Sequence, residues 1–221
     1  MRTSYHDELN SVINELVHMA SLVETAIGDA SEALFSANLE KAESVIGNDA
    51  RLDELHEELE YKCLSLIALQ APVAGELRTV VSAIRVVFEL ARMGDLSAHV
   101  AKIARLRYPH HAVPDHLNDN FRSMAEIAQK MIALAKDALA ANDPQEAIRL
   151  ADVDARMDTL RRAQFTELLG AKWDATIEEA VDVALLGRYY ERFCDHAVAV
   201  GRRVIYISTG AVPEGEDWPN A

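Results

Sequence analysis

Two short segments of the sequence carry aspartates four residues apart. They are Asp49-Ala-Arg-Leu-Asp53 and Asp154-Ala-Arg-Met-Asp158. On a helix this spacing puts both side chains on one face, one turn apart. Like charges placed there repel each other by about 0.2–0.5 kcal/mol, and a bound cation would remove that repulsion. The segments are therefore candidates for cation binding, although a solvated acidic face is the alternative for any single pair.

Glu191 and Asp195 form a third acidic pair at the same spacing, later in the chain. If their helix lies beside the helix that carries the second aspartate segment, four carboxylates converge. Clusters of carboxylate oxygens suit cations such as magnesium, manganese or iron. The repetition, with an arginine at the same place in both aspartate segments, favours a metal site over a solvated face. The predicted ligands of this C-terminal site are Asp154, Asp158, Glu191 and Asp195.

A corresponding N-terminal site is predicted with fewer acids. Asp95 is the counterpart of the last aspartate, but Ala91 stands four residues before it, where the C-terminal site has a glutamate. His99, one turn after Asp95, and His56, three residues after Asp53, are candidates to supply imidazole ligands instead, with a structural role as the alternative for a histidine on a helix. The predicted ligands of the N-terminal site are Asp49, Asp53, Asp95 and His99.

Long helices must position these side chains in the first half of the chain. Apolar residues at alternating steps of four and three predict a first amphipathic helix over residues 9–34. Asn38 is predicted to cap a second helix that starts at Leu39. Pro72 is placed in the first turn of a third helix that ends near Leu106.

The second half repeats this layout after a connection that contains two prolines. A fourth helix ends near Ala141, and Asn142-Asp143-Pro144 caps and opens a fifth. A turn near Gly170 precedes a sixth helix. Three histidines in the connection, His110, His111 and His116, are interpreted as solvated residues of a linker. The predicted organisation is a three-helix repeat over 1–108, a linker over 109–116, a second repeat over 117–210 and a flexible tail over 211–221.

An internal duplication is supported by two matched pairs of segments. The two aspartate segments lie 105 residues apart, and Arg92-Met-Gly-Asp95 lies 100 residues before Arg192-Phe-Cys-Asp195. The matches occur in the same order and in corresponding helices, with a difference that a loop absorbs. The sequence therefore predicts an all-α protein whose six helices form two tandem three-helix bundles.

Composition excludes several functional classes. The chain has 221 residues, half of them hydrophobic, and a net charge of −14, which argues against a nucleic-acid-binding protein. The N-terminal residues contain no apolar signal-peptide core, and no uncharged apolar run reaches the roughly 18 residues of a membrane span. We expect a cytoplasmic protein without membrane insertion. Cys63 and Cys194, each in an apolar helical stretch, are predicted to be buried thiols.

Each half of the chain carries further motifs. The first half contains Leu69-Gln-Ala-Pro-Val-Ala-Gly-Glu-Leu-Arg78, followed by Glu89-Leu-Ala-Arg-Met-Gly-Asp95, and these segments resemble the central signature of the PhoU family. The second half carries Arg188-Tyr-Tyr-Glu-Arg-Phe-Cys-Asp-His-Ala197 and closes on Val204-Ile-Tyr-Ile-Ser-Thr-Gly210, as such proteins usually do.

This resemblance implies a negative regulator of phosphate uptake and of the phosphate-starvation regulon. It implies a homodimer that couples a PstB-type transporter ATPase to a PhoR-type sensor kinase at the inner face of the membrane. It also implies a Glu/Asp-x-x-x-Asp motif in each half that can hold iron or zinc. Glu191 and Asp195 match that motif, whereas Ala91 departs from it.

Two other functions fit parts of the sequence. A metal-free helical adaptor would use its acids only to bind basic surfaces. A carboxylate-bridged di-metal enzyme would need Glu-x-x-His pairs on two helices, and only Glu15 and His18 are placed in this way. No phosphate-binding glycine loop, nucleophile elbow or catalytic triad signature occurs. We therefore expect no catalytic residues, no enzymatic activity and no organic cofactor.

Overall fold

A computed structural model describes residues 2–170 and 173–211 of the chain. Within these ranges the regular structure is six long α-helices and one short 3-10 helix at Asp115–Leu117, with no strand. The predicted tail lies outside the described residues from position 212 onward. The helices are α1 (Arg2–Ser36), α2 (Leu39–Gln70), α3 (Ala74–Arg107), α4 (Asn118–Ala141), α5 (Pro144–Leu168) and α6 (Ile177–Thr209).

Local side-chain chemistry sets several helix ends. The Asn38 side chain accepts a hydrogen bond from the third backbone N–H of the next turn at 3.0 Å, which confirms the predicted cap of α2. Asp143 caps α5 in a similar way, and Pro144 is its first residue, also as predicted. Thr176 and Glu179 form a reciprocal capping box at the start of α6.

The position of Pro72 differs from the prediction. It lies in the connection between α2 and α3, two residues before the first residue of α3. Ala71 closes α2 in the left-handed conformation, with φ of 45°. A proline directly after such a cap cannot continue the helix, and it therefore belongs to the end of α2 rather than to the start of α3.

The two repeats pack together as one body. Within each repeat the three helices contact one another, and α1 also packs against α4 while α3 packs against α6. These cross-repeat contacts join equivalent helices, so the repeats face each other through matching surfaces. Buried residues of both repeats form one continuous apolar core, in which the hydroxyls of Ser31 and Tyr190 are hydrogen-bonded at 2.9 Å.

An ion pair fixes the start of α6 to the end of α3. Arg107 donates to Asp182 through two nitrogens, of which Nη2 lies 3.2 Å from Oδ1, and its Nη1 is 2.5 Å from Glu178. The Asp182 side chain is only 5% exposed. A carboxylate buried to this degree needs a counter-charge, so this contact holds the second repeat against the first.

Both cysteines are buried free thiols, as predicted. Burial raises the pKa of Cys63 to about 11 and also raises the pKa of Cys194, beside which carboxylates add to the effect. Such thiols are poor nucleophiles at neutral pH. Within the described part of the chain, no helix combines the length and apolar character that a membrane span requires.

Candidate metal centre

Close packing between α5 and α6 brings the C-terminal acidic segments together. Two glycines of α6 flank the acidic pair of that helix. A Cβ on Gly187 would lie 2.0 Å from Oε1 of the buried Gln164, and a Cβ on Gly201 would lie 2.6 Å from Cδ1 of Leu150. A side chain at either position would force the facing residue of α5 to move, so the two glycines allow α6 to pack closely against α5.

The four predicted carboxylates of the second repeat lie within electrostatic range of one another. Burial raises the pKa of Asp154 to about 6, and the charges of Asp195, Asp158 and Glu191 add to this shift in that order. Burial also raises the pKa of Asp195, and Glu191 is the next cause. We refer to these four residues as the second-repeat cluster.

Glu191 is held by arginines at the edge of the second-repeat cluster. Arg188 donates from Nη1 to Oε2 of Glu191 at 2.6 Å, and Nε of Arg161 lies 3.6 Å from the same oxygen. Among the described residues, no three His, Cys, Asp or Glu side chains converge closely enough in these conformations to hold a metal ion. Joint coordination by all four carboxylates would therefore require several of these side chains to change conformation, including a movement of Glu191 away from Arg188.

The predicted N-terminal ligands are also neighbours, with a smaller negative charge. Burial raises the pKa of Asp49, and the charges of Asp95 and Asp53 act in the same direction, whereas Lys102 and His99 lower it. Arg92 donates to Asp95 at 2.7 Å. The position that matches Glu191 is occupied by Ala91, which is buried. This first-repeat cluster therefore offers fewer carboxylates for a cation.

The histidines considered as ligands mostly make other contacts. The His99 ring packs against Tyr189 of the other repeat, with ring centroids 5.1 Å apart. The His56 ring packs edge-on against Phe88 at 6.2 Å. In the connection between the repeats, His110 and His111 are exposed.

The single Glu-x-x-His pair of α1 is also engaged elsewhere. Glu15 accepts hydrogen bonds from Lys62 at 2.5 Å and from Ser11 at 3.0 Å. His18 is exposed on the same helix. Glu15 is thus engaged in contacts outside both acidic clusters.

A basic side chain lies near each cluster, and neither was predicted from the sequence. Lys102 lowers the pKa of Asp49, and Arg202 lowers the pKa of Asp154. The two cations lie 100 residues apart and hold matching positions in α3 and α6. The acidic motifs of α3 and α6 are also 100 residues apart. This shared spacing could have identified Lys102 and Arg202 as a matching pair.

The second-repeat cluster has the chemistry that a hard cation requires. Its carboxylates are partly withdrawn from water, and their mutual repulsion favours protonation of Asp154 and Asp195. A divalent cation would replace those protons and remove the repulsion. The donor set thus fits magnesium, manganese, zinc or iron without selecting one of them.

Comparison with known proteins agrees with the repeated architecture. The PhoU domain matches the chain twice, over residues 16–104 and 121–204. The chain belongs to the PhoU family. PhoU relatives cover it almost completely. The phosphate-specific transport system accessory protein PhoU homolog 2 of Mycobacterium tuberculosis is 44% identical over 96% of this chain and 100% of the relative. PhoU homolog 1 of Mycobacterium leprae is 41% identical over the full length of both chains.

Solved PhoU structures have the same fold. The crystal structure of the phosphate transport system regulatory protein PhoU from Streptococcus pneumoniae superposes with a TM-score of 0.87, at 26% identity, over 95% of this chain and 99% of that one. PhoU from Pseudomonas aeruginosa gives 0.86 at 27% identity, over 94% and 100%. These likenesses confirm the predicted family and its all-α, duplicated fold.

Replacing Asp154 with asparagine is expected to stabilise the metal-free protein at neutral pH. Because the folded pKa of about 6 exceeds the ordinary value of 3.8, folding favours the protonated carboxyl. The contribution of Asp154 to stability should therefore fall as pH rises from about 4 to about 6, and Asp154→Asn should remove that contribution. We expect a gain of about 1 kcal/mol at pH 7, allowing for the partial exposure of the group.

Urea denaturation of chelator-treated protein between pH 4 and pH 8 measures this effect. Asp152→Asn, at an exposed position of the same helix, is the matched control and should leave the pH profile unchanged. An Asp154→Asn variant with the wild-type profile would show that burial of this carboxyl does not oppose its ionisation.

Proposed function

We propose that this protein regulates phosphate uptake and represses phosphate-starvation genes when phosphate is abundant. The observation that carries the proposal is the near full-length similarity to relatives named phosphate-specific transport system accessory proteins. A protein of this kind acts by contact with partners. We propose a PstB-type transporter ATPase and a PhoR-type sensor kinase as those partners, and a homodimer as the active form at the inner face of the membrane.

The second-repeat cluster is the proposed metal site of this regulator. Asp154 and Asp158 from α5 and Glu191 and Asp195 from α6 would hold the cation. The cation would supply positive charge that neutralises the cluster and binds α5 to α6. Other residues of the chain position these carboxylates. The α6 glycines allow the close approach of α5 and α6, and Arg188 and Arg161 keep Glu191 at the edge of the cluster in the metal-free protein.

A metal-free adaptor is a second candidate, and a specific observation favours it. Glu191 is paired with arginine, and the described carboxylates do not converge on one point. In such an adaptor the acidic clusters would contact basic surfaces of the partners. Chelator-free purification followed by metal analysis separates the two candidates, because well-folded adaptor would contain no metal and would take up none on titration.

Deletion of the gene is expected to leave phosphate-starvation genes expressed in high phosphate. The expected result follows from the loss of the repressing partner of the kinase. A reporter fused to a starvation promoter, read in high and low phosphate, provides the measurement, with the wild-type gene restored on a plasmid as the control. Full repression in a strain from which every related copy is also deleted would contradict the proposed role.

A further inference from the structure

An open groove of about 500 Å³ lies between α5 and α6, beside the second-repeat cluster. Three of its six lining residues are arginines, although the chain has a net charge of −14. Among the lining residues, three guanidinium groups outnumber two carboxylates. The residues that line the groove are Asp158, Arg161, Arg162, Phe165, Arg188 and Glu191.

The three arginines differ in how many contacts their side chains make. The guanidinium of Arg161 lies over the Phe165 ring, 3.9 Å from its centroid, and the side chain is 11% exposed. Its Nη1 donates to Gln164 at 2.6 Å, but its Nε makes no hydrogen bond. Arg188 is half exposed and paired with Glu191. Arg162 is exposed, and its side chain has no partner among the described residues.

The first repeat lacks this arrangement. The positions that match Arg161 and Arg162 carry His56 and Glu57, and Phe88 matches Arg188. Neutralisation of Glu191 explains two of the arginines, because the first repeat has Ala91 at that position and needs no counter-charge there. It does not explain Arg162, which makes no contact with Glu191. Arg162 forms no ion pair among the described residues, so its guanidinium group remains available to a ligand.

We propose that this groove binds a phosphate group. Planar guanidinium groups donate parallel hydrogen bonds to phosphate oxygens, and the Phe165 ring holds one of them in place. The carboxylate of Asp158 can accept a hydrogen bond from the protonated oxygen of a phosphate monoanion or monohydrogen phosphate, a donor that sulfate lacks. Glu191 competes with the ligand for Arg161 and Arg188.

Phosphate binding in this groove goes beyond the proposed regulatory role, and it does not require a bound metal. The proposed metal site would affect this binding. If a cation draws Glu191 towards Asp195, Arg161 and Arg188 become available to the phosphate group. Metal and phosphate binding would then favour each other. Binding to purified protein and repression in cells are separate measurements, so failure of one is distinguishable from failure of the other.

Calorimetric titration of the full chain with inorganic phosphate tests the proposal, in chelator-treated protein at constant ionic strength. Loss of a charged donor in Arg162→Gln is expected to weaken binding about tenfold. Glu191→Gln, which removes the competing carboxylate, is expected to tighten it. Arg149→Gln is the matched control, because Arg149 lies on the same helix outside the groove and pairs with Glu146.

Sulfate and glycerol 3-phosphate complete the experiment. Sulfate should bind at least tenfold more weakly than phosphate, because it has no protonated oxygen that can donate a hydrogen bond to Asp158. Glycerol 3-phosphate binding as tightly as phosphate would support a phosphomonoester ligand, and much weaker binding would support free phosphate. No measurable phosphate binding, equal affinity for sulfate, or unchanged affinity in Arg162→Gln would each overturn the proposal. Circular dichroism of each variant verifies that it is folded.

Discussion

Replacing Glu191 with glutamine is expected to lower metal binding by this protein at least tenfold. The substitution keeps the size of the side chain and removes one of the four charges of the second-repeat cluster. It also removes the acid that distinguishes this cluster from that of the first repeat, where Ala91 is the counterpart. Elemental analysis after equilibrium dialysis against manganese or iron gives the metal content per chain.

A control is needed because Glu191 also pairs with Arg188 and Arg161. Glu167→Gln removes an exposed carboxylate from α5 outside the cluster and should bind metal like the wild type. Matching circular dichroism spectra, and free energies of unfolding in urea that agree within about 0.5 kcal/mol, would show that both variants are folded. Unchanged metal content in folded Glu191→Gln protein would contradict the assignment of Glu191 as a ligand.

Replacing Arg107 with methionine is expected to lower the free energy of unfolding by about 3 kcal/mol. Asp182 would remain buried without its counter-charge, which costs more than the loss of the ion pair itself. The effect should also loosen the start of α6, and hence the helix that carries Glu191 and Asp195. Urea denaturation at pH 7 measures the change.

A double-mutant cycle isolates the pair. Asp182→Asn in the Arg107→Met background removes the unpaired charge and should recover at least about 1 kcal/mol of the loss. Arg105→Met, at an exposed position two residues before Arg107, is the matched control and should be near neutral. Additive effects of the two substitutions would show that the contact does not couple α3 to α6.

The helix ends that the sequence predicted correctly depend on local chemistry. Asn38 and Asp143 are short polar residues that reach the free N–H groups of the next turn, and Pro144 suits the first helical position whatever the tertiary structure. Pro72 was misplaced because its role depends on the left-handed Ala71, a conformation with no sequence signal here.

In the candidate site, too, the features set by local sequence were predicted and those set by tertiary contacts were not. The duplication implied that the helices with the acidic motifs are neighbours, and their carboxylates do influence one another. The approach of Arg161 to Glu191 depends on how α5 is rotated against α6, which no spacing along the chain reveals. The stacking of His99 on Tyr189 depends on the contact between repeats, so its local spacing from Asp95 was a poor guide to its surroundings.

The most direct test of the proposed metal centre is a crystal structure of the protein grown with manganese, with anomalous differences recorded. We expect a peak between α5 and α6, bounded by Asp154, Asp158, Glu191 and Asp195, with Glu191 turned away from Arg188. We expect a weaker peak or none between α2 and α3. Well-ordered carboxylates with no peak between α5 and α6, or a peak confined to the first-repeat cluster, would contradict it.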